Sequence, residues 1–455
     1  VKSVSDFRPY QVEALEFCER VPRGYLAAKA GAGKTAVALA YIDRLMFDRF
    51  DCRRVLVVAP KRVVPQWPVE ARKWAFGRFL RFSLYLGTKE QRSAALAADT
   101  DVVVCSFEFF PELVKAIKAR DWPFDLVVFD EASRLRNGGR KGSVGWKAMN
   151  AISAKTSSRI LLMSGSPRPG TAHELYAPVY LLDQGQRLGK TLSGFRTSYL
   201  EPNKIDRYTG RVFSWKLRAG MEAALYGDIE ELYFAVAPDL GLPAVTIDRY
   251  IALPADVAQA CQDLQKNQVL DLDDLELMAP SQGTAAGKLH QMCQGVVFDG
   301  KGVPVPLHDE KLEELEEILE EVDGRAIVCV WYSHDRDRVL ARIAGAVDIT
   351  TPEGLGLAKA GKVEVAVLHP ASAGHGIDGL QEHYSAIVWF AIPASFELYD
   401  QANKRIIRSG QSETVRVYRI IAANGIADER IVARLAEKEA EQDEFFRHLQ
   451  ERAPA

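Results

Sequence analysis

The sequence predicts an α/β protein of two lobes, each a mostly parallel sheet covered by helices, with a helical region between them. Three observations carry this. A chain of 455 residues, 47% apolar and 26% charged, is too long for one ordinary core and has the composition of a folded globular protein. In its first half, short apolar or β-branched runs alternate with helical stretches, the pattern of parallel strands buried on both faces. In its second half the same alternation returns.

Taken in order, the first-half strands are YLAA, RVLVVAP, DVVVCSF, FDLVVFDE and RILLMSG. The second-half strands are AIVCVWYS, VEVAVLHP, AIVWFAI and VRVYRII, set among helical segments such as RDRVLARIAG and ELYDQANKRII. From about 170 to 310 the pattern is helical and irregular, with loop-like stretches at TAAGKL and FDGKGVPVP. These changes divide the chain into a first lobe over 1–235 with a helical extension from about 170, a linker and helical region over 236–310, and a second lobe over 311–455 closed by a C-terminal helix.

Several classes are excluded by composition. No apolar run reaches the roughly 18 residues that span a bilayer, and the opening VKSVSDF lacks the basic-then-apolar layout of a secretory signal, so a cytoplasmic protein with no membrane partner is expected. The six cysteines form no CxxC pair and lie in apolar settings such as VVVCSF, which reads as buried free thiols. Net charge is −3, yet from Ala132 to His173 there is no Asp or Glu while Arg134, Arg136, Arg140, Lys141, Lys147, Lys155, Arg159 and Arg168 are present. The segment Asp51 to Arg92 leans the same way, so one surface of a near-neutral protein is expected to be basic. The acidic run EKLEELEEILEEV is read as a helix with a solvated acidic face, being under two heptads long.

Two stretches carry chemistry. YLAA, KAGAGKT and AVALAYIDRLM read as strand, glycine-rich loop and helix. Gly31 and Gly33 let backbone N–H groups, with that of Ala32 between them, turn toward a phosphate at a helix N-terminus that already favours anions. Lys34 would reach the β- and γ-phosphates and the Thr35 hydroxyl would ligate magnesium. Ala28 stands where the common GxxxxGK[ST] pattern begins with glycine, so context carries the motif. FDLVVFDEAS ends a buried strand in two carboxylates: Asp130 to hold magnesium through water, Glu131 to orient and deprotonate the attacking water.

With FRPYQVEAL, LVVAPKRVVPQW, LLMSGSPRPG, SAGHGIDGL and QANKRIIRSGQ, these stretches resemble, in order, the motifs of superfamily 2 helicases, and of the Snf2-type DNA-dependent ATPases in particular. That resemblance runs from about Phe7 to Leu435. It implies two RecA-like lobes with ATP and Mg²⁺ between them, and a monomeric motor acting on double-stranded DNA, with single-stranded DNA as the alternative. Arg405 and Arg408 resemble the arginine fingers that neutralise charge building up on the γ-phosphate. Gln11 resembles the glutamine that reads adenine, an amide being able to donate and accept at once. Ser164, Gly165 and Ser166 resemble the motif coupling ATP state to lobe movement, and Gly376 and Asp378, with Gly374, lie in the second lobe's corresponding nucleotide- and DNA-coupling loop.

The chain departs from the family at Ser133, where His is common after DEA, and at Asp378, where Asn is common. Trp67 is read as core, and His375 as a loop residue with no metal, since no second ligand stands at suitable spacing. Three functions of different class follow: a duplex translocase or remodeller, a strand-separating helicase or the motor part of a restriction system, and a nucleotide-switched binding protein. The presence of Glu131, Arg405 and Arg408 argues against the last.

Overall fold

The computed structural model describes residues 2–451 apart from Ala30, 118–120, 139–141, Ser166, 168–170, 206–209, 238–243, Gln268, 273–274, 279–281, Gly300, 374–378, Ser409 and 425–426. Gly374, Gly376, Asp378 and His375 lie outside the described residues, as does Ser166. The chain forms two compact units, Val1–Pro238 with Glu441–Ala455, and Asp239–Ala440.

In the first unit, helix α1 (Pro9–Arg20) precedes a sheet of β1 (Arg23–Ala28), β2 (Val55–Ala59), β3 (Phe82–Tyr85), β4 (Val102–Ser106), β5 (Leu126–Asp130), β6 (Arg159–Ser164) and β7 (Tyr233–Val236). The strand order is β3-β4-β2-β5-β6-β1-β7, with every pairing parallel. β2, β4 and most of β5 are buried at every residue, which is why their sequences read as unbroken apolar runs. Helix α2 (Lys34–Asp43) follows β1, α3 (Val144–Lys155) lies between β5 and β6, and α4 (Tyr176–Asp183) and α5 (Leu192–Tyr199) belong to the extension after β6. Apolar layers cover both sheet faces, and Phe445, Phe446 and Leu449 from the far end of the sequence complete one of them.

The second unit is built on β8 (Ala244–Ala252), β9 (Ala326–Cys329), β10 (Val347–Asp348), β11 (Val365–Leu368), β12 (Ala386–Trp389) and β13 (Val415–Ala423), in the order β8-β13-β12-β9-β11-β10 and again all parallel. Its helices include α6 (Glu310–Glu321), α7 (Phe396–Asn403) and the start of α8 (Ala427–Glu451). The predicted fold class, parallel sheets covered by helices in two units, is what the chain adopts.

Local differences have physical causes. TAAGKL, expected as a loop, lies inside a helix, Gln282–Cys293, because its Ala, Lys and Leu outweigh one glycine. FDGKGVPVP contributes to two short antiparallel strands, Val296–Phe298 and Pro304–Pro306. The region read as linker contains β8, whose nine residues pair in register with β13. On α6, Leu312, Leu315, Ile318 and Leu319 face the core, and the acidic face is partly neutralised by Arg249 of β8, which pairs with Glu314 at 2.6 Å, Glu317 at 3.5 Å and also Glu321. All six cysteines are free and buried, as expected.

Candidate active site

The glycine loop leaves β1 and enters α2 through two residues in the left-handed region, Gly31 at φ 84° and Gly33 at φ 82°. Gly33 is also sterically required. A Cβ there would stand 2.2 Å from Nε2 of Gln11, so the loop passes directly over that side chain. Gln11 is buried, donates from Nε2 to the Ala32 carbonyl at 3.1 Å and accepts at Oε1 from the Arg8 N–H at 2.9 Å. The adenine-reading candidate and the phosphate-loop candidate therefore form one piece of structure. Lys34 Nζ donates to the Ala28 carbonyl at 2.7 Å, which folds the ammonium back over its own loop, and Thr35 occupies the first turn of α2.

β5 delivers the two carboxylates. Asp130 ends the strand beside Met163 of β6, two strands from the loop-bearing β1. Burial, and then the neighbouring Glu131 charge, push its pKa up to about 6 against the opposing pull of Lys34 and the Trp67 indole. Lys34 and Asp130 thus belong to one electrostatic site. Trp67 is fully buried in the core, as the sequence suggested, but its ring N–H approaches Asp130 without completing a well-formed hydrogen bond. A core reading of its spacing gave no sign of that second role.

Glu131 takes the left-handed conformation, φ 68° and ψ 56°, unusual for a residue with a Cβ and costing of order 1–3 kcal/mol when imposed by surroundings. Two hydroxyls fix its carboxylate: Ser133 Oγ donates to Oε1 at 3.0 Å and Ser164 Oγ donates to the same oxygen at 2.9 Å. Ser133, noted in the sequence as a departure, is a donor to the candidate base. Ser164, at the end of β6, joins the motif SGSP to that carboxylate. Residues 442 and 443 of α8 reach the same neighbourhood of the first unit: Lys29 pairs with Asp443 at 2.6 Å, and Gln442 Nε2 donates to the Gly165 carbonyl at 3.4 Å. These two contacts had no short-range signal, since their partners are 414 and 277 residues apart.

In the second unit, Arg405 and Arg408 follow α7 on a tight turn. Ile406 is fully buried, the two arginines are half-buried, and the turn is closed by Gln411, whose N–H donates to the Arg408 carbonyl at 3.1 Å and whose Nε2 donates to the Tyr384 carbonyl at 2.9 Å. Asn403 just before it accepts from the buried Trp389 indole at 2.9 Å. Ile406 accounts for the apolar content of QANKRIIRSGQ, and the arginines flank it.

Part of the basic excess in 51–92 is paired with groups of the same chain. Arg81 pairs with Asp99 and Asp101, Arg92 with Glu112, Lys73 with Glu70, and Arg54 donates to the Leu96 and Ala98 carbonyls. A count of charges along the sequence cannot see these partners.

Residues 10–225 match the SNF2-related domain family. Over that stretch the chain is similar to an SNF2-related domain. It is 27% identical over 449 residues to protein p41 of Acyrthosiphon pisum secondary endosymbiont phage 1, covering 96% of this chain and 97% of that protein. It is also 27% identical over 179 residues to the ISWI chromatin-remodeling complex ATPase ISW1 of Saccharomyces cerevisiae, where the match covers 37% of this chain and only 15% of the yeast protein. Among solved structures, the Sulfolobus solfataricus SWI2/SNF2 ATPase core in complex with dsDNA aligns over 98% of this chain and 97% of that one, at 18% identity and a TM-score of 0.45. The SNF2-related domain is an ATPase module, so this chain is an ATP-hydrolysing enzyme. Among the described residues, no helix is long and apolar enough to cross a membrane.

Proposed function

We propose that this SNF2-type ATPase couples ATP hydrolysis to movement along duplex DNA. The observation that carries the reading is the convergence of Ser133 and Ser164 on Glu131, since it ties the end of β6, where the coupling motif lies, to the carboxylate that would activate water. The curated relatives support it: one is a chromatin-remodeling ATPase and another is RAD54-like, a DNA repair and recombination protein of Danio rerio.

In this reading Lys34 leaves the Ala28 carbonyl for the β- and γ-phosphates, and the N–H groups of Gly31, Ala32 and Gly33 line the phosphate cradle. Gln11 reads adenine with the amide hydrogen and lone pairs it does not spend on Ala32 and Arg8. Thr35 and Asp130 fit a magnesium ion: both offer hard oxygen donors, and Asp130 is a desolvated carboxyl whose charge the protein itself under-compensates. When bound, the ion would neutralise phosphate charge. Glu131 holds and deprotonates the attacking water, oriented by its two serines, while Arg405 and Arg408 act on charge at the γ-phosphate. Gly376 and Asp378 belong to the same scheme, from a segment outside the described residues.

The test is the ATPase rate of one preparation with no nucleic acid, single-stranded DNA, duplex DNA and RNA. Duplex DNA should stimulate most, and equal rates in all four would end the proposal. Movement without strand separation predicts ATP-dependent displacement of a third strand from a triplex and little opening of a forked duplex. The stacking lost per opened step, about 1.4 kcal/mol, must otherwise be met by residues holding the separated strands. Efficient fork opening without triplex displacement would favour the helicase reading.

A further inference from the structure

The first unit holds a concave feature that none of the glycine-loop residues lines. It is a cavity of about 410 Å³ whose walls include Arg136, Asn137, Ser143, His173, Tyr176 and Arg196. That volume lies within the roughly 300–1,000 Å³ of small-molecule sites, and no Asp or Glu is among its lining residues. Several of these residues come from the acid-free stretch 132–173, which the hydrolysis scheme uses only at Ser133 and Ser164.

Arg196, on α5, is held in place from two sides. Its Nε and Nη2 lie 3.1 and 2.9 Å from His173 Nε2, and its guanidinium stacks 5.0 Å from the Trp215 ring centre. An arginine has no acceptor, so His173 must present a lone pair at Nε2 and carry its proton on Nδ1. The imidazole is therefore neutral, in keeping with a pKa that burial, and then Arg196, push down to about 4. Pinned this way, the guanidinium lines the cavity with N–H donors beyond the two turned to His173, and Arg136 lines the same cavity. Ser143 caps α3 by accepting from the Trp146 N–H at 3.2 Å, so the positive end of a twelve-residue helix adjoins the cavity. The back wall is rigid: the Trp146 indole donates to the Ala177 carbonyl at 3.1 Å, and a Cβ on Gly138 would come within 2.6 Å of the Ala177 methyl.

We infer that this cavity binds a phosphate group. Guanidinium forks match the spread oxygens of a phosphate better than a point charge does, and a helix N-terminus adds to the same preference. The phosphate could belong to a nucleic-acid backbone or to a free phosphorylated small molecule, since the recognising chemistry is shared. The inference does not depend on DNA stimulation of the ATPase: that stimulation could be absent and the cavity would still take phosphate.

The experiment uses the full chain with its nucleotide site filled by a non-hydrolysable ATP analogue, so that added phosphate cannot report on the glycine loop. Inorganic phosphate is titrated calorimetrically into the wild type, Arg196→Gln and Leu192→Glu. Leu192 also lines the cavity, half-buried as the first residue of α5 where an acidic side chain suits the helix, so this variant reverses the cavity's charge with both arginines kept, and a melting curve of each variant establishes that it is folded. Each variant should weaken phosphate binding at least tenfold. In parallel, a duplex oligonucleotide is bound over a salt series. A backbone phosphate in the cavity predicts that the slope of log K against log salt falls by about one in Arg196→Gln, whereas a free phosphorylated ligand predicts a change in the phosphate titration alone. Wild type and both folded variants behaving alike in both series would overturn the inference.

Discussion

The glycine loop of the first unit and the arginine turn of the second are fixed by opposite means. In the loop and at the end of β5, side chains do the fixing: Gln11 fills the space under Gly33, Lys34 rests on Ala28, and two serines hold Glu131. In the turn, buried Ile406 and the side chain of Gln411 set the backbone, leaving Arg405 and Arg408 half-buried on either side. The two serine donors, locked on Glu131 before reaction, cost no reorganisation during it. Groups carried on a locked turn start from a fixed backbone, which suits a role confined to the transition state.

The largest expected effect tests the turn. Replacing Arg405 or Arg408 by Ala should lower kcat by roughly 10³ to 10⁵ with modest change in ATP affinity. If the arginines only hold the second unit together, each variant would instead lose thermal stability along with activity, and the contrast between loop and turn would fail.

Next comes the chemistry proposed for the first unit. Glu131→Gln should keep nucleotide binding and lose about 10² to 10⁴ in turnover, the usual contribution of a positioned general base. Lys34→Ala should abolish nucleotide binding or turnover. Equilibrium binding of a fluorescent ATP analogue beside steady-state kcat separates the two; a Glu131→Gln enzyme that no longer binds would move Glu131 from chemistry to scaffolding.

A smaller effect sharpens the idea of side-chain fixing. Ser133→Ala removes one of two donors to Glu131 and should lower kcat about tenfold, with Ser164→Ala similar and the pair together non-additive. Unchanged kcat in both single variants would show that Glu131 is held by its backbone alone.

The smallest effect concerns stability. The Asp130 carboxyl has a folded-state pKa of about 6, above its ordinary value near 4, so its ionisation opposes folding. Its favourable contribution is complete below about pH 4 and is lost as pH rises through 6. Asp130→Asn should therefore be more stable than wild type at pH 7–8 without metal, by about 1–3 kcal/mol, with the gain shrinking between pH 6 and 4. Melting temperatures across that range decide it, and a destabilised variant at pH 8 would contradict the electrostatic account.

The sheets were legible because parallel strands buried on both faces write themselves as apolar runs, as in VLVVA and VVVCS. Strands at the margins were not. Phe82–Tyr85 is half-exposed over three of its four residues, and Ala244–Ala252 exposes or half-exposes eight of nine, so neither carries the interior pattern. At the site, glycines and carboxylates announce themselves because their chemistry demands fixed spacing along the chain. The Ser133 and Ser164 bonds to Glu131, the Trp67 approach to Asp130 and the Asp443 contact at Lys29 depend on distances that only folding creates.

That last contact has a consequence for how the protein is made. The first unit borrows Phe445, Phe446 and Leu449 for its core, and Asp443 for its glycine loop, from residues translated after the whole second unit. During synthesis the nucleotide-binding sheet must wait, part of its apolar surface uncovered, until those residues leave the ribosome. Contacts so distant in sequence close slowly, so the lobe begun first is finished last.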